Sequence, residues 1–130
     1  MANAFFDNYR NILSGGGTNP GMVDWDANTM KVILYDVADG TPNLSTWDAL
    51  DDVVAGGRVS TGTLSGITRP TAGTVLASNT TLSAVTGDQS EDLILYKDTG
   101  VESTSPVCAL FDTFTSGMPV TPNGGDIVIQ

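Results

Sequence analysis

The sequence predicts a mainly β fold, a β-sandwich or a jelly-roll-like small barrel, with a short N-terminal helix and one short helical turn near residues 45–52. Three observations point there. Charged residues make up only 15% of the chain, and its 15 glycines accompany many Ser, Thr and Asn residues. That surface suits turn-rich β structure better than helices laced with Lys–Glu pairs. From Arg58 onward, short apolar runs recur at close spacing, and Gly, Pro, Asn or Asp stands at nearly every joint, the pattern of many short strands linked by turns.

At 130 residues, 40% of them apolar, the chain holds one core and is too short for two ordinary domains. It divides into an arm, residues 1–22, and a single β domain, residues 23–130. In the arm, Phe5, Phe6, Tyr9, Ile12 and Leu13 recur at helical spacing, which predicts an amphipathic helix from Ala2 to Leu13. Ser14-Gly15-Gly16-Gly17 ends it with a left-handed glycine cap and opens a hinge through Gly21. Such a helix either covers its own core or docks on a neighbour.

Beyond the hinge the period becomes two. Met30–Asp36 reads as a strand apolar on both faces and therefore interior to a sheet. Asp39–Asn43 is turn chemistry, and Ser45–Leu50 reads as a helical turn capped by a hydroxyl. Further strands are predicted over Arg58–Leu64, Thr74–Ser78, Thr80–Val85, Asp92–Lys97, Val107–Thr113 and Ile127–Gln130. The last is expected to pair at a sheet edge or a subunit contact.

Charge and residue type exclude several function classes. Fifteen acidic residues against five basic ones give a net charge of −10, and Arg10, Lys31, Arg58, Arg69 and Lys97 are scattered. Binding nucleic acid needs clustered cations that displace phosphate counterions, so no nucleic-acid partner is expected, nor an anionic membrane. No apolar run reaches the roughly 18 residues that cross a bilayer, and the N-terminus lacks a signal-peptide pattern. A soluble product made in a cytoplasm is expected. Histidine is absent, which removes histidine-based acid–base, nucleophile-activating and metal-binding chemistry. Cys108, the one cysteine, lies within an apolar run and reads as a buried hydrophobe.

The best carboxylate cluster, Asp24-Trp25-Asp26-Ala27-Asn28, opens like a calcium-binding loop. It carries Thr29 where that loop needs Gly and Tyr35 where it needs Glu, so it reads as a polar turn. Asp51–Asp52 and Glu91–Asp92 are sequence neighbours whose side chains diverge, an unsuitable geometry for paired-carboxylate hydrolysis. No catalytic, cofactor or metal residue is assigned, and no cofactor or enzymatic activity is expected. The candidate partner contacts are the aromatics Phe5, Phe6, Tyr9, Trp25 and Trp47.

Several stretches, in order along nearly the whole chain, resemble a family of small proteins encoded in the structural gene blocks of tailed bacteriophages. They are Val23–Asp26, Met30–Asp36, Thr41–Thr46, Arg58–Thr61, Val85–Asp88, Leu93–Gly100, Ser103–Pro106, Leu110–Thr113 and Gly117–Asp126. The Gly15–Gly21 loop is richer in glycine than the family pattern, and the chain stops at Gln130 where relatives carry on. The resemblance implies a virion structural protein, chiefly a capsid cement or decoration protein. Its implied partners are the major capsid protein, on the outer surface of the phage head, and further copies of itself, as a homo-oligomer such as a trimer. A tail, neck or fibre component is the alternative within the same resemblance. A carbohydrate-binding module is the alternative of another class, with Trp25 and Trp47 as stacking platforms and Asp26, Asp48 or Asp51 as hydroxyl ligands.

Overall fold

Six consecutive residues, Met30–Tyr35, form a strand (β2) that is buried on both faces apart from Lys31. Its neighbours explain why it needs no polar face. In the computed structural model, which describes residues 2–16, 23–71 and 73–130, β2 lies between two antiparallel partners. The chain order is β1 (Ala4–Phe5), α1 (Asp7–Leu13), β2, β3 (Arg58–Thr63), β4 (Thr80–Leu82), β5 (Asp92–Lys97), β6 (Val107–Phe111) and β7 (Ile127–Ile129). Single 3₁₀ turns lie at Leu50–Asp52, Ala55–Gly57 and Glu102–Thr104. The fold is mainly β, as predicted.

Five strands form one antiparallel sheet in the order β1-β6-β5-β2-β3, and β4 pairs with β7 in a second, two-stranded sheet. The strand period sorts the apolar residues onto two faces. Ile33, Ile94 and Leu110 stand in one cross-strand row, and Leu34, Leu93 and Phe111 in another on the opposite face. The first face is covered by Phe6 and Tyr9 of the α1 segment and by Trp47, Leu50 and Val53. The second is covered by Leu82 of β4, Ile127 and Ile129 of β7, and Phe114, Met118 and Val120. The result is sandwich-like, with a helix-and-turn layer on one side of the large sheet and the small sheet on the other. Each large aliphatic buried this way contributes about 1.5–3 kcal/mol. The described residues form no closed barrel, since β1 and β3 remain as edges of the large sheet.

Gly62 in β3 permits the small sheet to settle. A Cβ there would lie 2.5 Å from Thr80 Cγ2 and 2.7 Å from Leu82 Cδ2, both on β4. Gly57 plays the same part on the other face, where a Cβ would lie 2.6 Å from the Tyr35 ring and 2.7 Å from the Asp36 carbonyl oxygen.

Three predicted elements differ in the structure. The helix starts at Asp7 rather than Ala2, because Ala4 and Phe5 pair with Leu110 and Ala109 of β6 and the Phe6 amide donates to the Cys108 carbonyl. Sheet pairing outweighs the helical period there. The C-terminal end follows expectation: Gly15 adopts φ +87°, its amide donates to the Ile12 carbonyl, and the Gly16 amide donates to the Asn11 carbonyl, a Schellman closure. Residues 17–22 of the expected hinge lie outside the described residues.

Thr74–Ser78 is not a strand. It makes one bridge, between Leu76 and Thr68, and lies exposed in the excursion from β3 to β4 with no face to bury. The helical turn expected near 45–52 is a turn at residues 44–46 followed by the 3₁₀ turn Leu50–Asp52. Its caps are also different. Asn43 Oδ1 accepts from the Ser45 and Thr46 amides, and Asp52 Oδ2 accepts from those of Asp48 and Ala49. These oxygens, rather than a Ser or Thr hydroxyl, satisfy the orphan donors.

Candidate functional site

The five aromatic residues expected to meet a partner divide sharply. Phe6, Tyr9 and Trp47 are buried, at 0%, 2% and 8% exposure, and pack within the chain's own core. Phe6 stacks on Trp47 with ring centroids 6.3 Å apart, and Tyr35 meets Trp47 edge-on at 5.9 Å. Trp25 is half-buried, donating its indole N–H to the Tyr9 hydroxyl at 3.0 Å. Burial pushes the Tyr9 hydroxyl pKa up, against a smaller lowering from that hydrogen bond. Phe6, Tyr9 and Trp47 are thus core residues within this chain, and Trp25 packs against that core at its margin with part of its surface exposed. Trp47, so deeply buried, offers no open ring face of the kind a sugar platform needs.

Phe5 is the exception. It is 48% exposed, and one edge meets Tyr9 at 5.3 Å. With Asn3, Ala4, Ala109, Leu110 and Phe111 it lines a shallow, largely apolar hollow of about 240 Å³ at the β1 edge. Asn3 closes the end of that edge: its Oδ1 accepts from the Asp112 and Thr113 amides, both at 2.9 Å, and its Nδ2 donates to the Thr113 carbonyl at 3.2 Å.

The larger concavity was not anticipated. It measures about 340 Å³ and lies between residues 114–118 and β7, with Leu93 and Val120 completing its lining. Residues 114–118 carry no periodic pattern, so the sequence held no signal for it beyond the apolar Phe114 and Met118.

The acidic residues are mostly committed to local structure. Asp24 Oδ1 accepts from the Asp26 and Ala27 amides, Asn28 Oδ1 accepts from the Asp24 amide, and Asp26 pairs with Arg69. That is the polar turn read from the sequence. Among the described residues no group of three or more acidic, His or Cys side chains is arranged to hold a metal ion. Cations sit in separate ion pairs: Arg10–Asp7 at 3.3 Å, Lys31–Asp98 at 2.6 Å, Arg58–Glu102 at 2.8 Å, and Arg69–Asp26. The Lys31 ammonium and the Gly100 amide, both bonded to Asp98, hold its carboxyl pKa below the ordinary range.

One carboxylate stands apart. Asp92, 5% exposed, opens β5 directly opposite Tyr35 of β2. Burial, with the Asp112 and Glu91 carboxylates nearby, pushes its pKa up to about 6. Glu91 accepts from the Val37 amide at 3.2 Å. Cys108 is fully buried, and burial pushes its thiol up to about 12, far from a reactive thiolate. Among the described residues no helix is long and apolar enough to cross a membrane. No protein-family model and no curated protein matches the chain.

Proposed function

We propose that this chain is a structural protein of a tailed-bacteriophage particle, acting as a cement or decoration protein on the outer surface of the head. The observation that carries the reading is the ordered resemblance running from Val23 to Asp126. It covers the core strands β2 and β5, and it extends into the loops around Gly100, Ser103–Pro106 and Gly117–Asp126. Core packing dictates few residues of the mostly exposed segments around Gly100 and Gly117–Asp126, so likeness there is more specific than likeness in buried strands or at the buried Ser105 and Pro106.

The physical properties support the same reading. A net charge of −10, with Arg10, Lys31, Arg58 and Arg69 each paired to an acid, suits a protein that does not meet the packaged nucleic acid. Weak contacts repeated over a lattice hold by multivalency, so no single deep site is required. In this reading the partners are the major capsid protein and further copies of the chain, with no enzymatic step.

Copy number tests the proposal. Quantitative mass spectrometry of purified particles is expected to find the chain in numbers comparable to the major capsid protein. A handful of copies per particle would move it to the tail or neck, and absence from particles would end the virion reading.

A further inference from the structure

The groove beside β7 combines three properties. Its lining is uncharged, although the chain carries −10 overall. Its apolar contacts come from Leu93, Phe114, Met118, Val120, Ile127 and Ile129. Both walls also have backbone to offer. Among the described residues β7 pairs only with β4, which leaves its other edge without a strand partner. Across the groove, among the described residues, no hydrogen bond engages the backbone of residues 114–118. An uncovered strand edge beside an apolar trough is the geometry that takes an added strand: main-chain groups supply affinity, and alternate side chains enter the trough.

We infer that this groove binds an extended segment of a different protein, with apolar residues at alternate positions and Lys or Arg at its flanks. The alternation follows from the strand period, since every second side chain of an added strand faces the Phe114–Met118 and Ile127–Ile129 walls. The basic flanks follow from charge. The exposed Asp126 directly precedes β7, the chain carries −10 overall, and no Lys or Arg lines the groove. A second copy of this chain is the poorer occupant. It brings another −10, and its five cations are spread so that none of its apolar runs has a basic residue at both ends. The edge is short: three residues of β7 span about 10 Å. A single engagement is therefore weak, and strong retention comes from repetition. The inference concerns the groove alone and holds wherever the partner resides.

A random twelve-residue peptide library, selected against the intact folded chain, tests it. The expected outcome is enrichment of peptides with alternating apolar residues and basic flanks. Their binding is expected to shift amide resonances of residues 114–118 and 127–130 while leaving those around Phe5 unmoved. Thr115→Trp, an exposed position in the lining, is expected to weaken that binding at least tenfold while Cys108 stays protected, showing that the fold is intact. Failure to enrich any peptide, enrichment of acidic or helical ones, or binding that shifts resonances elsewhere would overturn the inference. Virion copy number does not enter this assay, so its failure is separate from failure of the cement reading.

Discussion

Replacing Asp92 with Asn is expected to stabilise the protein at neutral pH and to change little at pH 4. Asp92 is buried at the start of β5, and its carboxyl is raised from an ordinary 3.8 to about 6, first by burial and then by Asp112 and Glu91. A raised acid binds its proton more tightly in the folded chain than in the unfolded one, so folding is penalised once that proton must leave. Below about pH 4 both states are protonated and the penalty vanishes. Between about pH 4 and 6 it grows, and above that it is complete. Each pH decade is worth about 1.4 kcal/mol, which sets a ceiling near 3 kcal/mol. Solvent screening at a sheet end lowers the expected gain to about 1–2 kcal/mol. The amide is isosteric, and Asp112 and Glu91 lie close enough to act on the site electrostatically. Urea unfolding followed by fluorescence of the two tryptophans, from pH 3.5 to 7.5, reads the difference directly. A variant no more stable than the parent at pH 7.5, or a gain that persists unchanged at pH 4, would refute the assignment of a charge penalty to this carboxylate.

Three other outcomes are expected. Gly57→Ala should destabilise more than Gly62→Ala, because the first Cβ meets an aromatic ring and a backbone carbonyl and the second meets side-chain termini that can shift; about 1–3 kcal/mol is expected for either, and a reversed order in thermal melts would contradict the packing. Cys108 should resist Ellman's reagent at pH 8 in the folded chain and react fully in denaturant, given its burial and a thiol raised to about 12; stoichiometric labelling of the native protein within minutes would show the β6 region to be open. Asn3→Ala should cost about 1 kcal/mol and accelerate amide exchange at Asp112 and Thr113, whose N–H groups its side chain holds; unchanged exchange at both would exclude the clamp.

The strands of the central sheet were legible because their environment imposes a simple rule. Asp92–Lys97 was bounded correctly, and Met30–Tyr35 was placed inside the sheet, since residues covered on both faces are apolar at nearly every position. The start of α1 was not legible. Ala4 and Phe5 satisfy a helical period, yet β6, more than a hundred residues later, claims their backbone. Thr74–Ser78 has strand-forming composition without a partner surface, and composition alone does not supply one. The split between the aromatic residues has a related origin. Phe5 and Phe6 are identical neighbours, and only the turn from β1 into α1 sends one into the core and leaves the other half-exposed. The groove beside β7 depends on where residues 114–118 settle relative to a strand ten residues further on. No local pattern encodes that distance.

The pairing of β1 with β6 also has a consequence during synthesis. Phe5 waits for Ala109 before its strand has a partner, and β2 waits for β5. At about 5–20 residues per second, the first residues leave the ribosome roughly 5–20 s before the segment that captures them. Over that interval Phe5, Phe6 and Tyr9 have no core to enter. A topology dominated by such distant partners folds in milliseconds to seconds once complete, slower than a helical bundle of similar length. Nascent chains of this protein should therefore depend on chaperones most strongly just before residue 111 emerges, and truncation ahead of β6 should yield aggregates rather than a smaller folded domain.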